Sequence, residues 1–119
     1  MATVDAVRVF SPNEGGDQRS YVWRSVANGD TINPLDTPSS PVGVQFRKGS
    51  AFGGSMSLTG TLIPPIESTR TFHTLNALDG TSISAVTADA LYDIRQDVES
   101  VQPVAGAGVS GVDVWIFTR

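Results

Sequence analysis

Hydrophobic and polar residues alternate along much of this chain, and the clearest case lies in residues 55–62. There Met56, Leu58 and Leu62 would lie on one face of an extended segment, with Gly60 leaving space among them, and hydroxyl residues would lie on the other face. Alternation with a period of two is typical of a β-strand that has one face on the core and the other in water. We therefore predict a half-buried antiparallel strand here.

The same alternation recurs in shorter runs and predicts further strands. Turn-forming pairs such as Asn28-Gly29 and Asp79-Gly80 separate several of these runs, because glycine and asparagine adopt a positive φ easily. Only residues 87–96 leave room for a helical turn or two. The further predicted strands cover residues 6–10, 21–26, 42–46, 69–75, 81–86, 98–104 and 112–117.

This spacing of elements predicts the fold class. Roughly eight short strands at intervals of about ten residues are typical of an all-β domain, an antiparallel β-sandwich or jelly roll with little helix. The chain has 119 residues, which is enough for one domain and too few for two. We expect residues 1–119 to form a single sandwich domain, in which residues 1–20 are a possible N-terminal arm or first strand.

Composition and charge narrow the range of functions. The net charge is −4, and the eight Lys and Arg residues are scattered along the chain. Affinity for nucleic acid depends mainly on such residues neutralising phosphates, so we expect no nucleic-acid partner. The chain has no cysteine, which excludes disulfides and thiolate metal sites. No run of about 18 apolar residues occurs, so we expect neither a signal peptide nor a membrane span.

Residues 106–111 read GAGVSG and match the glycine pattern of a dinucleotide-binding turn. Such a turn needs a helix that begins within it and an acidic residue about twenty positions later. Here a predicted strand follows instead, so we interpret the stretch as a bend between strands. The second glycine cluster, residues 49–54, lacks the lysine of a P-loop and is interpreted as a hairpin or bulge. Its Phe52 is either inserted into the core or offered to a partner.

No pattern indicates catalysis. His73 is the only histidine, and no serine has the Gly-x-Ser-x-Gly surroundings of a nucleophile elbow. Asp89, Asp93 and Asp97 are spaced by four and would share one helix face, but a calcium site needs more oxygen ligands and a tight loop. We therefore expect a solvated acidic edge there. The sequence predicts a protein that is not an enzyme, with no catalytic residues, no metal and no cofactor.

The run Leu62-Ile63-Pro64-Pro65-Ile66 is the strongest candidate for contact with another molecule. Its adjacent prolines cannot both serve a sheet ladder, so a stiff loop is expected. Two interpretations stay open: a loop folded over the end of the domain, or an apolar knob that contacts another subunit. The candidate contact residues are Phe52, Leu62, Ile63, Pro64, Pro65 and Ile66.

Several segments, taken in order from about Tyr21 onward, together resemble a family of small tailed-bacteriophage virion proteins of the capsid decoration, or cement, type. In that family the central strand leads into a Gly-Ser-Asn-Asp-Gly-like turn, and this chain has a longer and more apolar connection at residues 60–66. The segments that carry the resemblance are WRSVANGDT at residues 23–31, VQF at 44–46, GSAFGG at 49–54, LTG at 58–60, the turn at 75–80, PV at 103–104 and VDV at 112–114.

The resemblance implies an all-β sandwich on the exterior of a phage capsid, which cements the lattice without catalysis. The implied partners are the major capsid protein and the protein itself, as a homodimer or homotrimer. The implied location is the virion, after synthesis in the bacterial host cytoplasm. One alternative is a structural accessory protein of the tail or head–tail junction. Another is a carbohydrate-binding β-sandwich module, for which Tyr21, Trp23 and Trp115 would have to supply aligned surface aromatics.

Overall fold

A computed structural model describes residues 1–10, 18–36 and 40–119 of the chain. These residues form eleven β-strands, and no helix among them is long and apolar enough to cross a membrane. The predicted N-terminal arm lies partly outside the described residues, at 11–17. The strands are β1 (Thr3–Val4), β2 (Val7–Val9), β3 (Arg19–Val26), β4 (Thr31–Ile32), β5 (Leu35–Asp36), β6 (Pro41–Arg47), β7 (Met56–Thr61), β8 (His73–Thr74), β9 (Ala90–Asp93), β10 (Ser100–Ala105) and β11 (Val112–Thr118).

Two antiparallel sheets make up most of the domain. One has five strands in the order β2-β3-β11-β6-β9, and the other has four in the order β5-β10-β7-β8. The short strands β1 and β4 form a separate parallel pair. The prediction of an all-β, antiparallel, sandwich-like domain with little helix is confirmed.

The two sheets share one apolar core. Trp23 and Phe46 of the five-stranded sheet and Met56 of the four-stranded sheet are completely buried, together with Phe52 from the loop between β6 and β7. Burying a side chain of this size contributes about 1.5 to 3 kcal/mol to the free energy of unfolding. The indole Nε1 of Trp23 donates a hydrogen bond to the Asn33 carbonyl at 2.9 Å, so the ring is buried without an unpaired N–H.

Strand β7 confirms its prediction on the core face. Met56 and Leu58 are buried there, and a Cβ added at Gly60 would lie only 3.1 Å from the Leu75 side chain. Glycine therefore provides the space that the alternation required. Leu62 is different: β7 ends at Thr61, and the Leu62 side chain is 73% exposed.

The opposite face of β7 corrects the prediction that its hydroxyl residues point into water. Thr59 and Thr61 are buried. Ser100 of β10 is the strand partner of Thr61. The Ser100 hydroxyl accepts a hydrogen bond from the Arg70 guanidinium at 2.8 Å, so the segment around Arg70 lies over this part of the sheet. The buried hydroxyl of Thr59 is not left without a hydrogen bond, because it donates to the carbonyl of Gln102 at 2.7 Å.

The helical turn predicted for residues 87–96 is wrong. Ala90–Asp93 instead form β9, which pairs antiparallel with β6. The pairing turns Tyr92 inward, where its ring meets Phe46 edge-on with 6.4 Å between centroids. A four-residue strand carries too little alternation to outweigh the helix-like spacing of its neighbouring aspartates, so the pairing with β6 decides the local structure.

Two predicted strands are reduced to short pieces. Residues 69–75 contribute only β8, and residues 81–86 contribute isolated bridges at Ser82 and Val86. The backbone of Ala85 has a φ of 54°, which interrupts an extended ladder at this point.

The two glycine clusters of the sequence contact each other. Gly53 and Gly108 both have a φ of 85°, and a Cβ added at either one would come closer than 3.0 Å to the carbonyl oxygen of the other. The N–H of Gly106 donates to the carbonyl of Ser55 at 2.8 Å. The GAGVSG stretch is therefore a bend that connects β10 to β11, as predicted, and its glycines allow two backbones to approach closely.

Replacing Gly108 by alanine should destabilise the domain more than replacing Gly49, although both have nearly the same positive φ. Nothing lies within 4 Å of a Cβ at Gly49, so only backbone strain of about 1 to 2 kcal/mol is expected there. At Gly108 the new methyl group also collides with the Gly53 carbonyl, which should add at least about 2 kcal/mol. Urea unfolding of both variants tests this, and equal losses would contradict the contact.

Candidate functional site

The apolar loop, defined as residues 62–66, projects from the end of β7. Leu62 is 73% exposed and Ile66 is 90% exposed. Pro64 and Pro65 are also exposed, and Ile63 is half-buried at the base. Isolated exposed apolar residues are ordinary, but a continuous run of them is typical of a contact surface. The structure therefore brings these five candidate residues together in one projecting group.

Hydrogen bonds on both sides fix the conformation of the apolar loop. The Thr61 hydroxyl accepts the N–H of Ile63 at 3.1 Å, and the Pro64 carbonyl accepts the N–H of Glu67 at 3.1 Å. The Thr61 carbonyl accepts the N–H of Glu99 at 2.8 Å. Each proline also fixes its own φ. A loop held in this way loses little conformational entropy when it binds a partner.

A groove of about 390 Å³ runs beside the apolar loop. His73 and Asp97 are exposed at this groove, but no hydrogen bond joins His73 to a hydroxyl or carboxylate group of the described residues. The groove therefore offers an apolar wall with a polar rim and no assembled pair of nucleophile and base. Its lining consists of Gly60, Thr61, Leu62, Ile63, Thr71, His73, Thr74, Leu75, Gln96, Asp97 and Val98.

Phe52 is not part of this surface. Its side chain has no exposed area, and its backbone N–H donates to the Thr87 carbonyl at 3.0 Å. A completely covered ring has no area to offer a partner. Phe52 is therefore a core residue, and the candidate contact residues are reduced to the apolar loop.

The three aspartates spaced by four do not form one acidic edge. Asp89 turns toward the loop after β6, where its carboxylate accepts the N–H groups of Lys48 at 2.8 Å and Gly49 at 3.1 Å. Asp93 lies on β9, and Asp97 lies at the groove. Among the described residues, no three His, Asp or Glu side chains are close enough to hold a metal ion together.

Two further aspartates also bind backbone or side-chain donors. Asp30 accepts the N–H groups of Ala2 and Ala27, both at 3.0 Å, and so holds β1 beside β4. These two hydrogen bonds lower the pKa of Asp30. Burial raises the pKa of Asp36, but hydrogen bonds from Ser100 and Arg70 outweigh it, so the pKa is lowered overall.

The aromatic residues that a sugar site would require do not share a surface. Tyr21 and Trp23 do lie on the same face of β3, where they pair with Ile116 and Val114 of β11, but Trp23 is completely buried in the core and Tyr21 is half-buried. Trp115 alternates with those residues and lies on the opposite face of the sheet. The three rings therefore cannot form one sugar-binding row.

Comparison with protein-family models, with curated proteins and with solved structures finds no match to this chain. The resemblance to phage virion proteins is carried by the sequence segments alone.

Acid should destabilise the domain partly through Asp89. Hydrogen bonds from the backbone N–H groups of Lys48 and Gly49 lower its pKa in the folded state. A carboxylate whose pKa is lowered by folding contributes stability above its unfolded pKa, near 3.8, and loses it as the pH falls through the lower folded value. The free energy of unfolding of Asp89→Asn should therefore fall less than that of the natural protein below about pH 4.

Asp97→Asn is the matched control, since it removes the same charge and leaves the Asp89 hydrogen bonds in place. Urea unfolding at a series of pH values measures the difference. If the free energy of unfolding falls equally steeply with decreasing pH in Asp89→Asn and in the natural protein, Asp89 does not contribute to the acid destabilisation.

Proposed function

We propose that this protein is a non-catalytic structural protein that binds the outside of a phage capsid and stabilises its lattice. The observation that carries the proposal is the apolar loop, whose side chains are exposed and whose backbone is hydrogen-bonded at both ends. The resemblance in sequence supplies the capsid as partner, and the loop supplies a surface suited to a protein contact.

A lattice makes such a small contact sufficient. The apolar loop offers only five residues, and a stable interface buries about 1,200 to 2,000 Å². The groove beside the loop extends the contact area, since Leu62 and Ile63 line both. A capsid also presents the same contact many times, so linked copies gain avidity from multivalent binding.

Charge and thermodynamics are consistent with this role. The net charge of −4 suits the exterior of a shell that holds DNA inside. A protein that binds only the expanded shell stabilises that state by mass action, by RT ln(1 + [L]/Kd) for each site. Stabilisation therefore needs no covalent chemistry.

Ile66→Asp should abolish binding to phage heads while leaving the fold intact, because the Ile66 side chain is 90% exposed. The measurement is co-sedimentation with heads of the parent phage assembled without the protein, before and after shell expansion. We expect saturable binding of the natural protein to expanded heads and at least a tenfold loss in the variant, about 1.4 kcal/mol.

Val104→Asp is the control, because Val104 is another exposed apolar residue, at 43%, and lies on β10 away from the apolar loop. Its binding should equal that of the natural protein. Unchanged binding of Ile66→Asp would remove the loop from the interface. Binding to isolated tails but to neither form of the head would favour the tail or head–tail accessory role, which rests on the same loop.

A further inference from the structure

The outer face of the five-stranded sheet carries a row of apolar residues among polar ones. In an antiparallel sheet the face away from the core is normally solvated and polar. Here the register places Val7, Val22, Trp115, Gln45 and Leu91 in one row across the sheet. Leu91 is 73% exposed and Val7 is 57% exposed, whereas Val22 is buried but does not belong to the core cluster. The exposed apolar area of this row therefore comes from Leu91, Val7 and the half-buried Trp115, with Gln45 as its polar member.

A depression crosses the neighbouring row of the same face. Phe117, Gly43 and Asp93 lie side by side there, and the missing side chain of Gly43 leaves a cavity of about 250 Å³. Trp115 and Leu91 form part of its wall. The outer face thus has both projecting aromatic and aliphatic side chains and a depression into which side chains of a partner can pack.

Strand β11, at the centre of this sheet, carries a regular charge pattern on its outer face. Asp113, Trp115 and Phe117 point outward at alternate positions, and the Arg119 guanidinium follows over the Phe117 ring at 6.0 Å. Along the strand the order is acid, aromatic, aromatic, base. This order is self-complementary when the strand is laid antiparallel over a copy of itself.

We propose that the outer face of the five-stranded sheet is a homodimer interface in which β11 of one copy crosses β11 of a second copy antiparallel. A two-fold axis that passes across the strands at Ile116 places Asp113 opposite Arg119 of the second copy. The same axis places Trp115 opposite Phe117 of the second copy. Every contact of a two-fold interface occurs twice, so the pattern provides two contacts between Asp113 and Arg119 and two aromatic pairs. Asp113 also lies 3.9 Å from the Arg24 guanidinium of its own copy, so Arg119 of the second copy joins an existing ion pair.

The charges around the apolar row favour a protein partner over a sugar. Guanidinium groups lie over both outward rings, that of Arg24 at 5.3 Å from Trp115 and that of Arg119 at 6.0 Å from Phe117. Each guanidinium covers one face of its ring, so a ring of the second copy would contact the opposite face or the edge. An apolar centre that contains Trp and Arg and has a charged rim is typical of protein interfaces.

The size of the face limits the contact area that a dimer can form. Five strands about 4.8 Å apart and seven residues of β11 at about 3.4 Å each give roughly 20 by 24 Å. Two such faces bury roughly 1,000 Å² in total, the lower limit for a specific interface. We therefore expect a dimer that dissociates in the micromolar range.

The homodimer interface and the apolar loop are separate surfaces. The loop follows β7 of the four-stranded sheet, and no residue of the loop lies on the outer face described here. Dimerisation can therefore be tested without a capsid. If the proposed capsid binding holds, a dimer would also carry two loops and gain avidity.

Sedimentation velocity of the full chain from about 1 to about 200 µM tests the proposal, with a monomer–dimer transition expected within that range. Arg119→Asp places two like-charge pairs in the dimer and should weaken it about tenfold. Asp113→Arg also places two like-charge pairs in the dimer, in this case between positive side chains, and should weaken it to a similar extent. An equimolar mixture of the two variants should form a heterodimer as strong as the natural dimer, because one ion pair keeps its natural polarity and the other is restored with reversed polarity.

Leu91→Asp provides a second test, since Asp113→Arg also removes the acceptor of the Ser25 N–H and could impair folding. Leu91→Asp should be monomeric throughout, and Ile66→Asp should dimerise like the natural protein. A natural protein that is monomeric at 200 µM would overturn the proposal. So would undiminished dimerisation of Arg119→Asp and Leu91→Asp, or a mixture of folded charge variants that fails to associate.

Discussion

Strand β11 is the element on which the rest of the five-stranded sheet depends. It pairs with β3 on one side and β6 on the other, so β2 and β9 reach the sheet only through those neighbours. Its inward residues Val112, Val114 and Ile116 join the core, and its outward residues form the proposed homodimer interface. Because β3 and β11 are far apart in sequence, we expect the sheet to form late and folding to be slow.

The position of β11 depends in turn on the bend that precedes it. Residues 106–111 carry the chain from the four-stranded sheet to the five-stranded one. The close approach of Gly108 to Gly53 joins this bend to the loop that contains Phe52. The glycines of the GAGVSG stretch therefore do not form a phosphate-binding turn. They allow two backbone segments to lie so close together that a Cβ atom would collide.

Local alternation predicted the parts of the fold in which one face is polar and the other apolar. It failed where both faces are covered, as at Thr61, because a distant segment around Arg70 lies over Ser100, the residue that pairs with Thr61. The alternation of Val112, Val114 and Ile116 with Asp113, Trp115 and Phe117 correctly separates the two faces of β11, but it could not show which other strands place their apolar residues beside Trp115. The apolar loop was identifiable because its prolines and polar surroundings are local features, whereas the burial of Phe52 depends on tertiary packing.

The sandwich carries two separate proposed contact surfaces, the apolar loop for a shell and the outer sheet face for a second copy. The most direct test of the first assignment is a cryo-electron-microscopy reconstruction of expanded phage heads saturated with the protein. We expect density for the domain on the outside of the shell, at lattice symmetry positions, with residues 62–66 against the capsid surface. Density on the exterior with these residues turned away from the shell, or no added density at saturation, would contradict the account.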